Sequence, residues 1–216
     1  MPRRPSASQS APAPADRPGL ERSAVPTPEG GRRGRVLDAA LTTFLRYGFR
    51  KTSMEEVARA AQMSRQALYL HFATKEELFA AAVQHFLVTG LEAAAQPLQD
   101  SSLSLEAQLL AAFDAWLGRF VGLTGGDVED LHAASEALLG PLLSEYEEQF
   151  LERITRALRS SGLPAAYKAA GISARQLAET LQATGRGLKH GCASRAEFAE
   201  RMGVAVRALC LPLRRS

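Results

Sequence analysis

Arg65, Gln66, Tyr69 and His71 lie within seven consecutive residues. Arginine and glutamine are the side chains that make paired hydrogen bonds to guanine and adenine edges. Tyrosine and histidine can donate to phosphate oxygens. On a helix, the spacing of 65, 66 and 69 turns those three side chains outward together. This is the chemistry of a surface that reads DNA. A catalytic alternative finds little support. The chain has no phosphate-cradling glycine loop, no nucleophile elbow and no H-E-x-x-H motif. No Cys/His cluster has metal-ligand spacing. We therefore expect no enzyme, no cofactor and no metal.

The segment that must position these residues is Thr52 to Phe72, TSMEEVARAAQMSRQALYLHF. Ser53 with Glu56 is a capping box that opens one helix, and Ser64 is the N-cap of a second. Val57, Ala58, Met63 and Leu68 point inward, with Ala58 small where the two helices cross. A helix braced in this way can enter a major groove. An ordinary surface hairpin of helices is the alternative, because its exposed face is also polar. Upstream, a helix over 32–47 carries the stripe Val36, Leu37, Ala40, Leu41, Phe44 and Leu45, and stops at Gly48. Downstream, the Thr74–Glu77 capping box opens a long fourth helix with Leu78, Phe79, Ala82, Val83, Phe86 and Leu87 inward and Pro97 as its limit.

Charge is divided along the chain. Residues 1–75 hold thirteen Lys/Arg against six Asp/Glu, and the remainder holds thirteen against seventeen. A basic head on an acidic body implies a polyanionic partner for the head alone. Residues 1–31 contain seven of the eleven prolines and no apolar periodicity, which predicts a disordered arm. Arg32, Arg33 and Arg35 follow it, either as a solvated helix start or as an arm on DNA.

The stretches RVLDAALTTFLRYGFRKTSMEEVARAA, MSRQALYLHF and TKEELF, between Arg33 and Phe79, resemble the DNA-binding head of TetR-type (TetR/AcrR) transcriptional regulators. The combination of Phe44, Gly48, Leu68, Tyr69, Phe72 and Lys75-Glu76-Glu77-Leu78 is distinctive. The resemblance implies a homodimer on an inverted-repeat operator in double-stranded DNA, acting as a repressor released by a small-molecule inducer. It places Arg65, Gln66, Ala67, Tyr69 and His71 where the family touches DNA, with Ala67 able to meet a thymine methyl. It places Lys75 at a phosphate, and Ser53 and Ser64 at helix starts, where an anion is favoured. Arg33 and Arg35 complete the expected DNA-contacting set. One departure is Gln62, where the family usually has glycine in the turn. A left-handed residue other than glycine costs on the order of 1 kcal/mol, which is tolerable. A nucleoid-type DNA binder without sequence preference is the rival reading.

Beyond Pro97 the sequence still reads as helix, giving an all-α chain of about nine helices. The expected organisation is an arm (1–31), a helix-turn-helix domain (32–78) and a ligand-binding and dimerisation domain (79–216). Leu105, Leu109, Phe113, Trp116, Phe120 and Leu123 form one stripe, broken at Thr124-Gly125-Gly126. A helix from Asp127 to about Leu139 is separated by Gly140-Pro141 from another with Leu143, Tyr146, Phe150, Ile154 and Leu158 inward, ending at Gly162. Leu163 to Ile172 reads as a loop. Ser173 and Ser194 cap the last two helices. Trp116, Phe120, His132, Tyr146 and Phe150 are candidates to line a ligand pocket, with plain core as the alternative. Leu181, Leu188, Met202, Val206 and Leu209 are candidates for the dimer interface, helped by the small residues Ala183, Gly185 and Gly187. Cys192 and Cys210 read as free buried thiols. No run has the roughly 18 uninterrupted apolar residues of a membrane span, and no secretory signal opens the chain. We therefore expect no membrane partner and a cytoplasmic location.

Overall fold

The computed structural model describes residues 28–122 and 128–214. Nine α-helices and no strand occur among the described residues. Helix α1 (Pro28–Tyr47) precedes two short helices, α2 (Met54–Ala60) and α3 (Arg65–His71). Helix α4 (Lys75–Gln99) leads to α5 (Leu105–Trp116), α6 (Val128–Ser160) and the short α7 (Leu163–Tyr167). Helices α8 (Ala174–Gly191) and α9 (Arg195–Cys210) complete the chain.

Two hydrophobic clusters organise these helices. The first gathers Val36, Leu37, Ala40 and Phe44 of α1, Met54, Val57 and Ala58 of α2, Leu68 and Phe72 around α3, and Leu78, Phe79 and Ala82 of α4. Phe44 and Phe79 meet edge to face at 4.9 Å. The second gathers Leu87, Leu91 and Ala94 of α4 with α5, α6, α8 and α9. Within it Trp116 stacks on Phe150 at 5.2 Å, and Phe113 meets Phe150 edge to face at 5.1 Å. Helix α4 thus belongs to both clusters and joins them as one rod, about 37 Å long at 1.5 Å per residue. By length and composition α4 is apolar enough to cross a membrane. Its apolar side chains are spent instead on the two cores.

Several boundaries differ from the sequence reading. Helix α1 starts at Pro28, inside the predicted arm. A proline suits a helix's first position, because the amide hydrogen it lacks has no partner there. Residues 1–27 of that arm lie outside the described residues, as does the Thr124-Gly125-Gly126 break. Helix α4 runs two residues past Pro97. Helix α5 stops at Trp116 rather than near Leu123, and a tight 3₁₀ turn covers Gly118–Phe120. Gly118 permits that turn, since a Cβ there would lie 2.3 Å from the Asp114 carboxylate. Gly140-Pro141 does not divide two helices, because α6 continues through it for 33 residues. A proline inside a helix costs about 3 kcal/mol. Here both halves are anchored, by Leu131 and Leu139 before Pro141 and by Phe150, Ile154 and Leu158 after it. The predicted loop 163–172 contains α7 and a 3₁₀ turn, with Leu163 fully buried. One merger and one addition explain why the count of nine survives a different partition.

The residues expected at a dimer interface require a correction. Leu181, Met202 and Val206 are at most 1% exposed within a single chain, and Leu209 is also buried. Leu188 is half-buried against the same core. These side chains fill the body's own interior, so they are not free to meet a second copy. Gly185 is likewise internal, since a Cβ there would come within 2.8 Å of Leu117 on the neighbouring turn. The faces of α8 and α9 that point outward are different ones. They carry Ala183 and Gly187 on α8, and Val204, Ala208 and Leu211 on and just after α9.

Candidate nucleic-acid interface

The turn between α2 and α3 is closed by backbone hydrogen bonds. The Met63 N–H donates to the Ala58 carbonyl at 2.9 Å, and the Gln62 N–H donates to the Arg59 carbonyl at 3.1 Å. This pairing is the Schellman arrangement, which needs a left-handed residue just past the helix end. Gln62 supplies it with φ of +54°, and it is the one non-glycine residue with positive φ among those described. The unusual residue recognised in the sequence therefore occupies the strained position predicted for it.

Both helices are fixed at their starts. The Ser53 Oγ accepts from the Glu56 N–H at 3.3 Å, and the Ser53 N–H donates to the Glu56 carboxylate at 2.8 Å. That backbone bond, reinforced by the Ser53 hydroxyl, holds the Glu56 carboxyl below its usual range. Ser64 caps α3 by accepting from the Ala67 N–H at 3.1 Å. Leu68 and Phe72 are buried beneath α3, so its orientation is set by the core. Ala67 is half-buried.

What α3 leaves outward is Arg65, Gln66, Tyr69, Leu70 and His71, all exposed. The Arg65 guanidinium lies 5.4 Å from the centre of the Tyr69 ring, so the two side chains share one face. Ser53 and Ser64 are exposed beside it. Arg33 is exposed and lies 5.2 Å from the Phe72 ring, and Arg35 is exposed further along α1. Lys75 is more committed. Its ammonium donates to the Phe49 carbonyl at 3.0 Å and lies 4.6 Å from the Phe49 ring. It therefore ties the start of α4 to the turn after α1. Leu70 was overlooked in the sequence because apolar residues were assigned inward. It is 81% exposed, and its place four residues after the outward Gln66 puts it on the same face.

Of the body residues singled out in the sequence, Trp116, Tyr146 and Phe150 meet in the core, and Phe120 and His132 lie apart from them. Trp116 and Phe150 are stacked core, and Tyr146 packs against that core. Phe120 instead meets Phe86 of α4 at 4.6 Å, and His132 is exposed on α6. A groove of about 300 Å³ between α6 and α8 is lined by other residues, among them Glu147, Glu179, Gln182 and Arg186. Asp130 stands near the start of α6. Its side chain is largely buried and accepts from the Arg50 N–H at 2.8 Å, which docks the start of α6 on the head. Cys210 is buried and Cys192 is half-buried at the end of α8.

The described helices thus form a helix-turn-helix head on a helical body. Residues 36–82 match the model of the bacterial regulatory proteins of the tetR family. The chain is 37% identical over 90 residues to the HTH-type transcriptional activator FasR of Mycolicibacterium smegmatis, across 40% of this chain and 41% of that protein. It is 32% identical over 126 residues to the uncharacterized HTH-type transcriptional regulator YfiR of Bacillus subtilis, across 56% of this chain and 57% of that protein. The matches therefore span about half the length of these curated relatives. A TetR-like transcriptional regulator from Rhodococcus sp. RHA1 superposes with a TM-score of 0.58 at 28% identity, covering 85% of this chain and 98% of that one. The structure of a SmeT–triclosan complex shares the fold with a TM-score of 0.56 at 22% identity, covering 84% and 90%. The head thus matches the tetR-family model, and the overall fold is shared with a TetR-like transcriptional regulator.

Proposed function

We infer that this protein is a sequence-specific transcriptional regulator that binds an inverted-repeat operator as a homodimer and leaves it when a small molecule binds the body. The observation that carries this reading is the outward face of α3. It presents Arg65, Gln66, Tyr69 and Leu70 on a helix locked from beneath by Leu68 and Phe72. Arg65 and Gln66 contribute base discrimination, and Ala67 and Leu70 offer apolar contact to thymine methyl groups. Arg33, Arg35, Ser53, Ser64, Tyr69 and His71 surround that face as phosphate contacts. Two of the three Lys75 donors are directed at carbonyl oxygens, so Lys75 orients the head as well as contributing charge.

A palindromic site needs two heads related by a two-fold axis. The surface proposed for pairing is the outward face of α8 and α9, where Val204 is 56% and Leu211 is 46% exposed beside Ala183, Gly187 and Ala208. The contact of Asp130 with Arg50 gives the body a direct hold on the head. A ligand can act through it only by preferring the arrangement in which the two heads are wrongly spaced. The SmeT–triclosan complex supports a small apolar molecule as a ligand for this fold. We favour repression, because occupying a promoter requires no further contact surface. The FasR relative is named as an activator, so transcription in vitro with and without the protein decides the sign.

Selection of bound DNA from random sequence, followed by competition between the selected site and a scrambled one, tests the reading. Arg65→Ala should lose roughly 1–3 kcal/mol of discrimination for a lost bidentate contact. Lys75→Ala should weaken binding to both sequences. Selection that yields no consensus would favour a non-specific DNA-coating protein. Val204→Glu should sediment as a folded monomer that binds a full site weakly, and a Val204→Glu dimer with full affinity would move the interface elsewhere.

A further inference from the structure

Arg119 lies in the 3₁₀ turn that follows α5. Its guanidinium carbon sits 3.3 Å from the centre of the Phe86 ring on α4, and Nη2 donates to the Phe86 carbonyl oxygen. The Arg119 Nε is buried and has no hydrogen-bond partner. Lys189 approaches from the last turn of α8, with its ammonium 5.2 Å from the centre of the Phe120 ring. The Arg119 guanidinium lies 6.0 Å from that same ring. Gly90 makes the space, since a Cβ there would stand 2.8 Å from the guanidinium carbon.

Burial holds both cations below their usual ranges, Arg119 at about 10. A desolvated cation is costly unless an anion accompanies it. The nearby carboxylates make their closest contacts with other side chains. Asp38 pairs with His85 at 3.5 Å, Asp114 pairs with Arg195 at 2.7 Å, and Glu147 pairs with Arg186. Asp38 attracts Arg119 and Glu147 attracts Lys189, Arg195 and Arg186 add smaller repulsions, and desolvation outweighs them all. Two half-buried cations from different elements therefore approach one aromatic ring, and neither makes a salt bridge to a carboxylate among the described residues.

We propose that Arg119 and Lys189 hold the acid group of a small organic anion whose apolar part lies against Phe86 and Phe120. Both rings are half-buried, so they leave apolar surface that a bare phosphate would not use. The location also suits a signal. The preceding residue, His85, faces Asp38 and lies 3.5 Å from the Cβ position of Gly34, both on α1. The anion would thus sit beside the contact of α4 with the head. This deepens the small-molecule reading and depends on it only for the regulatory consequence.

Calorimetric titration of the DNA-free protein at constant ionic strength tests the site. The probes are benzoate, benzyl alcohol as its uncharged counterpart, and inorganic phosphate. Benzoate should bind saturably and more tightly than either other probe. A hydrogen bond to a charged group is worth about 1.5–3 kcal/mol, so Lys189→Met and Arg119→Gln should each weaken benzoate about tenfold or more. Lys189→Met keeps the apolar stem and removes a desolvated charge, so it should melt no lower than the parent and keeps the test valid if Arg119→Gln misfolds. Benzyl alcohol or phosphate binding as tightly as benzoate would overturn the assignment. So would absence of saturable benzoate binding, or affinity that survives the Lys189 substitution. No DNA is present, so the result is independent of whether α3 reads an operator.

Discussion

Replacing Gln62 tests the turn that aims α3. Gln62 has φ of +54°, where a side chain crowds the backbone at a cost of roughly 1 kcal/mol. Glycine removes that cost but gives the unfolded chain more freedom, which takes back about 0.4–1 kcal/mol. The Gln62 side chain is exposed, so little packing is lost. Gln62→Gly should therefore be neutral to stabilising, by up to about 0.6 kcal/mol as the difference of those terms. Asparagine visits the left-handed region readily, so Gln62→Asn should also be neutral. Valine is β-branched and should lose about 1 kcal/mol or more. All three keep the N–H groups that close the turn, so operator affinity should follow stability rather than side-chain chemistry. For a chain of this size 1 kcal/mol moves Tm by about 2–4 °C, which thermal melts followed by circular dichroism resolve. A glycine variant less stable by more than about 1 kcal/mol, or a valine variant that melts with the parent, would refute the strain argument.

Two glycines on α8 should respond in opposite directions. Gly185→Ala overfills the contact with Leu117 and Phe113 and should cost about 1–3 kcal/mol in urea unfolding. Gly187 has open space around it, and Gly187→Ala should add about 0.5–1 kcal/mol from helix propensity unless a second copy packs there. Ser53→Ala should cost about 1 kcal/mol by removing the cap of α2. The capping box also carries a pH signature, because the Glu56 carboxyl is held below its unfolded value near 4.5. Its contribution is present above that pH and is lost as pH falls through the lower folded value. The parent should therefore lose more stability on acidification than Ser53→Ala, and parallel acid melts would contradict this.

The sequence alone determined the local devices of this protein. Ser53 with Glu56, Ser64 and Thr74 mark helix starts because a side-chain oxygen and a free N–H are neighbours in the chain. The stripe from Val36 to Phe44 and the inward Val57, Ala58 and Leu68 follow from helical spacing, so the head was legible residue by residue. Gln62 was legible because a Schellman turn needs one backbone conformation whatever surrounds it. Tertiary structure decided what depends on distant partners. Pro141 stays inside α6 because both flanking stretches are anchored in cores that no local pattern reveals. Leu181, Met202 and Val206 face inward because α5, α6, α8 and α9 close on one another, and an apolar stripe does not state which neighbour will cover it. The same holds for Asp130, whose partner Arg50 is 80 residues away, and for Arg119 and Lys189, which share Phe120 only because α5 and α8 end side by side.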